Sequence, residues 1–194
     1  MIIVGSTNAE VGIQRGMDIL RNGGSAIDAV EATIRLVEDN PEDHTVGFNS
    51  YPNVLGELQL DASIMDGSTL ETGAIAAVRG YREAISIARK VKDVLPHVLL
   101  AGDGAERFAA EMGFEHQPHM VTEKISDLRE ERLKEDMPQE VFAGLASRSD
   151  LHQWVRLATD PDKAGGTADR HLTHAGTAGC SVAVVGVIAC ADDR

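Results

Sequence analysis

Hydrophobic positions at the start of the chain recur in patterns typical of one strand and two helices. The run from Met1 to Ser6 is apolar and β-branched before it turns polar, which predicts a first strand. From residue 8 onward the apolar residues lie three or four positions apart, on one face of a helix: Ile13, Met17 and Leu20. Asn22-Gly23-Gly24 is a stop signal for this helix.

A second helix follows directly. Ser25 is a suitable N-cap, and Pro41 closes the element. The apolar residues between them again repeat with helical spacing: Ile27, Val30, Ile34 and Val37. A loop rich in Asn, Pro and Gly then runs from residue 42 to 56.

The next stretch alternates between strand and helix patterns. In chain order we expect a strand over 58–65, its antiparallel partner over 73–78, a helix over 86–95, a strand over 97–101 and a helix over 105–112. Gly102-Asp103-Gly104 is interpreted as a packing turn, because it lacks the lysine of a P-loop and the third glycine of a dinucleotide fingerprint. Residues 115–150 are charged and are expected to be mobile or irregular, with a weak helix over 125–136.

Composition and charge narrow the classes of protein that fit. The 194 residues are 43% hydrophobic, which suits one domain with a sizeable core. The net charge of -13 argues against nucleic acid as a partner. No run is long enough to span a membrane, and the first residues lack a basic leader, so we expect a cytoplasmic protein. Two cysteines without ligand spacing predict neither a disulfide framework nor a metal, and no cofactor is expected.

The polar stretch DPDKAGGTADRHLTH, residues 160–174, holds the most specific candidate chemistry. Gly166 can adopt strained dihedral angles, so the hydroxyl of Thr167 can approach the Gly166 carbonyl. Breaking that peptide bond would leave an α-amine on Thr167, which could act as the general base for its own hydroxyl. By spacing alone, a surface turn is the preferred explanation of the same residues.

Other polar clusters have plainer interpretations. His171 and His174 could bind zinc, together with Asp169, but no helical pattern surrounds them, and an exposed loop accounts for them. Asp61, Ser63 and Asp66 are polar candidates in the first half of the chain. A strand end that makes turn hydrogen bonds explains them without a catalytic role.

Five blocks in order give the chain a family resemblance. They read GGSAIDAVEATIRLVEDNPEDHTVG, LDASIMDG, ISIARKV, PHVLLAGDGAERFAAEMGF and ATDPDKAGGT. The chain resembles the glycosylasparaginase or plant-type (type 2) asparaginase branch of the N-terminal nucleophile hydrolases. The resemblance implies an α+β fold, the αββα sandwich of that class.

The resemblance also implies a division of the chain and a set of roles. Residues 1–166 would be the α-chain-like segment and residues 167–194 the start of the β-chain-like segment. Thr167 would be the nucleophile, and the bond cut would be Gly166–Thr167. Thr177, in Gly-Thr-Ala-Gly, is the alternative nucleophile. The product would be an αβ heterodimer, which relatives pair further into dimers, and its substrate a small amide.

The sequence departs from the family pattern in two respects. Asn8 stands where several relatives place an aromatic residue that lines the pocket. The family's STSG, GRVGDSP and TGxGE segments are absent, so no substrate-binding residue is assigned and the sandwich is expected to be incomplete.

The implied activity is hydrolysis of the side-chain amide of asparagine or of N4-(β-N-acetylglucosaminyl)-L-asparagine. The alternatives are an isoaspartyl peptidase/L-asparaginase, or an inactive remnant that acts only as a binding protein.

Overall fold

The computed structural model describes residues 1–53, 56–136 and 187–190, which form a mixed α and β structure. The strands are β1 Ile2–Gly5, β2 Leu60–Met65, β3 Thr72–Val78, β4 Leu99–Ala101 and β5 Val187–Cys190. The helices are α1 Glu10–Arg21, α2 Ala26–Glu38, α3 Ala84–Val94, α4 Gly102–Glu111 and α5 Glu123–Asp136, and a 3₁₀ turn Thr7–Ala9 precedes α1. In the described ranges, no helix is long and apolar enough to cross a membrane.

The end of α1 and the start of α2 lie where the sequence predicts, whereas α1 begins at Glu10, after the 3₁₀ turn, and α2 ends at Glu38, three residues before Pro41. The Ser25 hydroxyl accepts a hydrogen bond from the backbone N–H of Asp28, at 3.2 Å, and so caps α2. The same hydroxyl donates to the Asp28 carboxylate at 2.6 Å, and this bond is the main cause that lowers the pKa of Asp28 below its ordinary value of 3.8. Gly23 ends α1 in the left-handed region, with φ of 81°.

A three-stranded sheet with the order β2-β3-β4 carries the main core. The strands β2 and β3 form the predicted antiparallel hairpin, and β4 returns parallel to β3 after the crossover helix α3. The helices α3 and α4 pack against β3. The buried side chains between these layers include Ile64, Ile75, Ile87, Val91 and Phe108.

Two helices differ from their predicted bounds. The helix α3 begins at Ala84, two residues before the predicted start. The prediction of a packing turn at Gly102-Asp103-Gly104 was wrong, because these residues form the first turn of α4. Asp103 in that turn has a favourable interaction with the helix dipole, which offsets the poor helix propensity of the two glycines.

The charged segment after residue 115 is more ordered than its sequence suggests. The weak helix predicted over 125–136 is present as α5, which begins at Glu123. Ile125 is fully buried, and Met120 just before the helix is 4% exposed. The burial of these two apolar side chains therefore stabilises the packing of this polar segment against the rest of the fold. Residues 137–150, the rest of the stretch expected to be irregular, lie outside the described residues.

The first strand belongs to a separate two-stranded sheet. β1 pairs antiparallel with β5, with Ile2 opposite Cys190 and Gly5 opposite Val187. The expected mixture of helices and strands is present. The αββα sandwich itself stays a prediction, because the described strands form these two small sheets.

Candidate functional site

The predicted cleavage junction lies outside the described residues. This holds for Gly166 and Thr167, and for the alternative nucleophile Thr177. His171 and His174, the histidines of the zinc interpretation, lie outside them as well. The roles of all five residues therefore remain predictions.

The described residues include segments before and after the predicted junction in sequence. The strand β5 follows both candidate nucleophiles in sequence, and it pairs with β1 at the very start of the chain. An antiparallel ladder of four residue pairs joins the segments before and after the junction. This pairing is the structural feature closest in sequence to the candidate nucleophiles.

Asn8 lies in the 3₁₀ turn directly after β1. Its side-chain oxygen accepts a hydrogen bond from the Ser6 hydroxyl at 2.6 Å, and the residue is partly buried. The turn packs against α2. Asn8 is therefore engaged in a local polar contact, at a place where the family pattern has an aromatic side chain.

Asp61 stabilises a distortion in the sheet. Its carboxylate accepts a hydrogen bond from the backbone N–H of Ala77 at 2.7 Å, across the hairpin. The pairing register shifts between Leu60 and Ala62, and Ala77 has a φ of 55°, which is strained for a residue with a Cβ. The carboxylate holds the bulged backbone in place, which agrees with the structural interpretation of Asp61.

Ser63 and Asp66 also occupy structural positions. Ser63 is exposed and stands opposite Ala74 in the hairpin register. The Asp66 carboxylate accepts from the backbone N–H of Ser68 at 2.9 Å and from the Ser68 hydroxyl. These bonds, the hydroxyl first, lower the pKa of Asp66 below 3.8. Asp66 thus makes the turn hydrogen bonds that the sequence suggested.

The start of α4 is occupied by acidic side chains. Arg79 donates to Asp103 at 2.7 Å and to Glu106 at 2.8 Å. The hydrogen bond to Glu106 is the main cause that raises the pKa of the Arg79 guanidinium further above its ordinary value. Two carboxylates beside this helix start disfavour a phosphate there, in agreement with the absence of a phosphate-binding sequence.

The role of Asn49 was not predicted from the sequence. This residue is buried and has a φ of 64°. Its side-chain oxygen accepts from the backbone N–H and the hydroxyl of Thr122, at 3.2 and 2.7 Å, and its own N–H donates to the Met120 carbonyl at 2.8 Å. Asn49 therefore joins the loop after α2 to the start of α5. Asparagine tolerates the left-handed region, which was the only indication available in the sequence.

Glu38 at the end of α2 is a second buried polar residue without a sequence signal. Its carboxylate accepts from the backbone N–H of Ile85 at 2.8 Å. Burial is the largest influence on this group and raises its pKa from 4.5 to about 8, although the hydrogen bond and Arg35 act in the opposite direction. Helical periodicity placed residue 38 next to the apolar face but did not indicate that a carboxylate would be enclosed.

Metal chemistry finds no support in the part of the chain that the structure describes. No group of three or more His, Cys, Asp or Glu side chains there is arranged to hold an ion. The predicted absence of a metal at the junction stays a prediction.

Comparison with known proteins gives similarity to asparaginases. The chain is 43% identical to an isoaspartyl peptidase/L-asparaginase of Rattus norvegicus over 122 residues, which are 61% of this chain and 36% of the rat protein. It is 45% identical to a plant-type L-asparaginase of Pyrococcus horikoshii over 114 residues, 59% of this chain and 36% of that protein. It is 42% identical to a plant-type L-asparaginase of Thermococcus kodakarensis over 134 residues, 69% of this chain and 40% of that protein.

The matched segment thus spans well under half the length of these curated relatives. The family model described as asparaginase matches residues 6 to 191, which include the Gly166–Thr167 junction and most of the chain. The chain therefore belongs to the type 2 asparaginase family, the family that the five sequence blocks predicted.

Proposed function

We propose that this protein is an amidohydrolase that first cuts its own chain between Gly166 and Thr167. Thr167 then acts as the nucleophile on the side-chain amide of an asparagine-like substrate. Thr177 is the alternative nucleophile, and it would define a cleavage site ten residues further along. No cofactor takes part in this scheme.

The observation that carries the proposal is the family match across the junction. The match runs from residue 6 to residue 191, so it includes both candidate threonines. The pairing of β1 with β5 adds support, because it joins the two segments that cleavage would separate. We therefore expect the two pieces to stay together as an αβ heterodimer.

Self-cleavage requires only groups of the chain and one water. The Thr167 hydroxyl oxygen attacks the carbonyl carbon of Gly166, and the C–N bond between the two residues breaks. The freed nitrogen takes up a proton and becomes the α-amine of Thr167, while an ester joins Gly166 to the threonine oxygen. Water then hydrolyses that ester and leaves a carboxylate on Gly166 and a hydroxyl on Thr167.

The new α-amine makes the hydroxyl reactive. An α-amine has a pKa of about 7.7 to 8.0, so roughly a tenth or more is neutral at pH 7 and can accept the hydroxyl proton. The threonine oxygen then attacks the amide carbonyl, and the amine or ammonia leaves with that proton. Water hydrolyses the resulting β-aspartyl ester and regenerates the enzyme.

The names of the relatives bear on the choice of substrate. The rat protein is named isoaspartyl peptidase/L-asparaginase, and the archaeal proteins are named L-asparaginases. Both activities cleave an amide on the side-chain carboxyl group of aspartate, as does glycosylasparaginase, which the sequence blocks suggested first. Release of aspartate from L-asparagine, a β-aspartyl dipeptide and N4-(β-N-acetylglucosaminyl)-L-asparagine, measured in parallel, distinguishes the three.

Intact mass tests the cleavage step. The purified wild-type chain should give two masses that correspond to a cut before Thr167, and Thr167→Ala should give one. Thr177→Ala serves to test the alternative junction, and Thr173→Ala is the matched control, since it removes a nearby threonine to which no role is assigned. A wild-type mass that equals the uncut chain under all conditions contradicts the proposal. Cleavage abolished by Thr177→Ala alone moves the junction to Gly176–Thr177.

A second candidate function is that of a protein that binds amides without turnover. The sequence contains none of the STSG, GRVGDSP or TGxGE segments that the family uses around the substrate. A chain that binds amides without turnover would show L-aspartate binding by calorimetry, no release of aspartate from any of the three substrates, and no self-cleavage. That combination favours a binding protein over an enzyme.

A further inference from the structure

The end of α2 holds a buried carboxylate that caps a different helix. The Glu38 residue is 4% exposed, and its Oε1 accepts from the backbone N–H of Ile85 in the first turn of α3. Within the described chain, Glu83 at the N-cap position of α3 makes no side-chain capping hydrogen bond. Glu38 therefore provides the capping acceptor for α3 from a neighbouring helix.

The backbone of Glu38 also contacts the loop of residues 44–50. The Phe48 N–H donates to the Glu38 carbonyl at 2.8 Å. Gly47 lies so close to the Glu38 backbone that a Cβ there would overlap it, and its φ is 67°. One residue thus joins α2, the loop 44–50 and α3.

The charge of this carboxylate is poorly compensated. The Glu38 Oε2 has no hydrogen-bond partner among the described residues, and the nearest cation is the Arg35 Nε, 3.9 Å away. Arg35 is shared with two other carboxylates, Glu83 at 2.6 Å and Asp39 at 3.8 Å. Both of these anions also raise the free energy of an ionised Glu38.

We propose that Glu38 is a pH-sensitive latch, which holds the first turn of α3 against the end of α2 when its carboxyl group is neutral and releases that turn when the group ionises. A neutral carboxyl group keeps its carbonyl acceptor for Ile85 and carries no buried charge. An ionised group has one hydrogen bond and a shared arginine, which leaves most of its desolvation uncompensated. Release of the first turn of α3 restores water to the carboxylate.

The direction of the pH effect follows from proton linkage. The pKa of Glu38 is raised from 4.5 to about 8 in the closed structure, so the closed form binds more protons than an opened, hydrated form between these values. The stabilisation by the latch is complete below the lower value and is lost as the pH rises through the upper one. Over this window the opening constant should rise roughly tenfold per pH unit and level off above pH 8.

Hydrogen exchange of the amides at the start of α3 measures this opening. In the wild-type chain the protection factors of Ile85 and Ile87 in the first turn of α3, corrected for the intrinsic exchange rate at each pH, should fall about tenfold per unit from pH 6 to pH 8. In Glu38→Gln they should be independent of pH, because an amide keeps the acceptor for Ile85 and cannot ionise. Glu83→Gln is the matched control: it removes a carboxylate that faces the same arginine but is 36% exposed, and the pH dependence should persist.

Two results would overturn the latch. One is a wild-type protection that does not change between pH 6 and pH 8, which decides the matter even if Glu38→Gln fails to fold. The other is a pH dependence that survives in Glu38→Gln, which would show that a different group controls the opening. Neither readout requires self-cleavage or activity, so the latch proposal is tested separately from the proposed function.

Discussion

Gly12 and Gly16 decide how closely α1 lies against α2. A Cβ on Gly12 would overlap the carbonyl oxygen of Thr33, and one on Gly16 would overlap the Thr33 hydroxyl and the Ile3 side chain. Thr33 is fully buried and donates its hydroxyl proton to the Ala29 carbonyl at 2.8 Å. Glycine is present at both positions despite its low helix propensity, because only a hydrogen atom fits at these points of contact.

Gly12→Ala should therefore destabilise the chain, although alanine is the better helix former. The added methyl group meets backbone, which cannot rotate away, and overpacking of this kind costs about 1 to 3 kcal/mol beyond the propensity gain. The matched control is Gly104→Ala in α4, where a Cβ would meet no atom within 4 Å, so stability should stay equal or rise by up to about 1 kcal/mol. Urea unfolding monitored by circular dichroism measures both. Equal stability of the two variants would mean that α1 and α2 are not in contact at Gly12.

At the scale of elements, the helices and strands with a clear apolar period were predictable. Ser25, Gly23 and the periodic residues of α2 fixed that helix, and the alternation over 58–65 and 73–78 fixed the hairpin. Asn49 and Glu38 were not predictable, because their roles depend on backbone groups far away in sequence, those of Thr122 and Ile85. A periodic pattern records which face is apolar, and it contains no information about a polar contact that only the folded chain creates.

The helix α5 illustrates this limit, since its composition predicts little packing. Besides Asn49, it is held by the Arg129 Nε, which donates to the Asn53 carbonyl at 3.0 Å, and by Arg132 over the Tyr51 ring at 4.7 Å. The loop after α2 is thus the docking surface of α5. The segment that leads toward the predicted junction begins from an anchored helix.

Replacement of Asn49 should release α5 without unfolding the sheet. Asn49→Ala loses the bonds to Thr122 and places a Cβ residue at positive φ, whereas Asn49→Gly loses the same bonds but relieves the backbone. We expect both variants to be cut in α5 by low concentrations of trypsin sooner than the wild type. The glycine variant should retain about 1 kcal/mol more stability than the alanine variant. Protease resistance equal to that of the wild type in both variants would contradict the anchoring role.

At the scale of the whole molecule, the β1–β5 pairing relates the start of the chain to its last described residues. Among the described residues, it is the one strand pairing between the segments before and after the predicted junction. Its register gives the partner of each residue. The proposed heterodimer depends on it. The register makes the pairing testable with the cysteine that the chain already carries at position 190.

Ile2→Cys should form a disulfide with Cys190 under mild oxidation. The two positions are opposite each other in the antiparallel register, and directly opposed residues have Cβ atoms about 4.5 to 5.5 Å apart, close to the separation that a disulfide requires. Val4→Cys is the matched control, because Val4 is opposite Ile188 and lies in the same exposed strand. Mass spectrometry of peptides from the oxidised, non-reduced protein should find residue 2 linked to residue 190, with little linkage of residue 4 to residue 190. Equal linkage in the two variants, or none in either, would show that the segments do not pair in this register, and the structural support for a heterodimer held together by β1 and β5 would be lost.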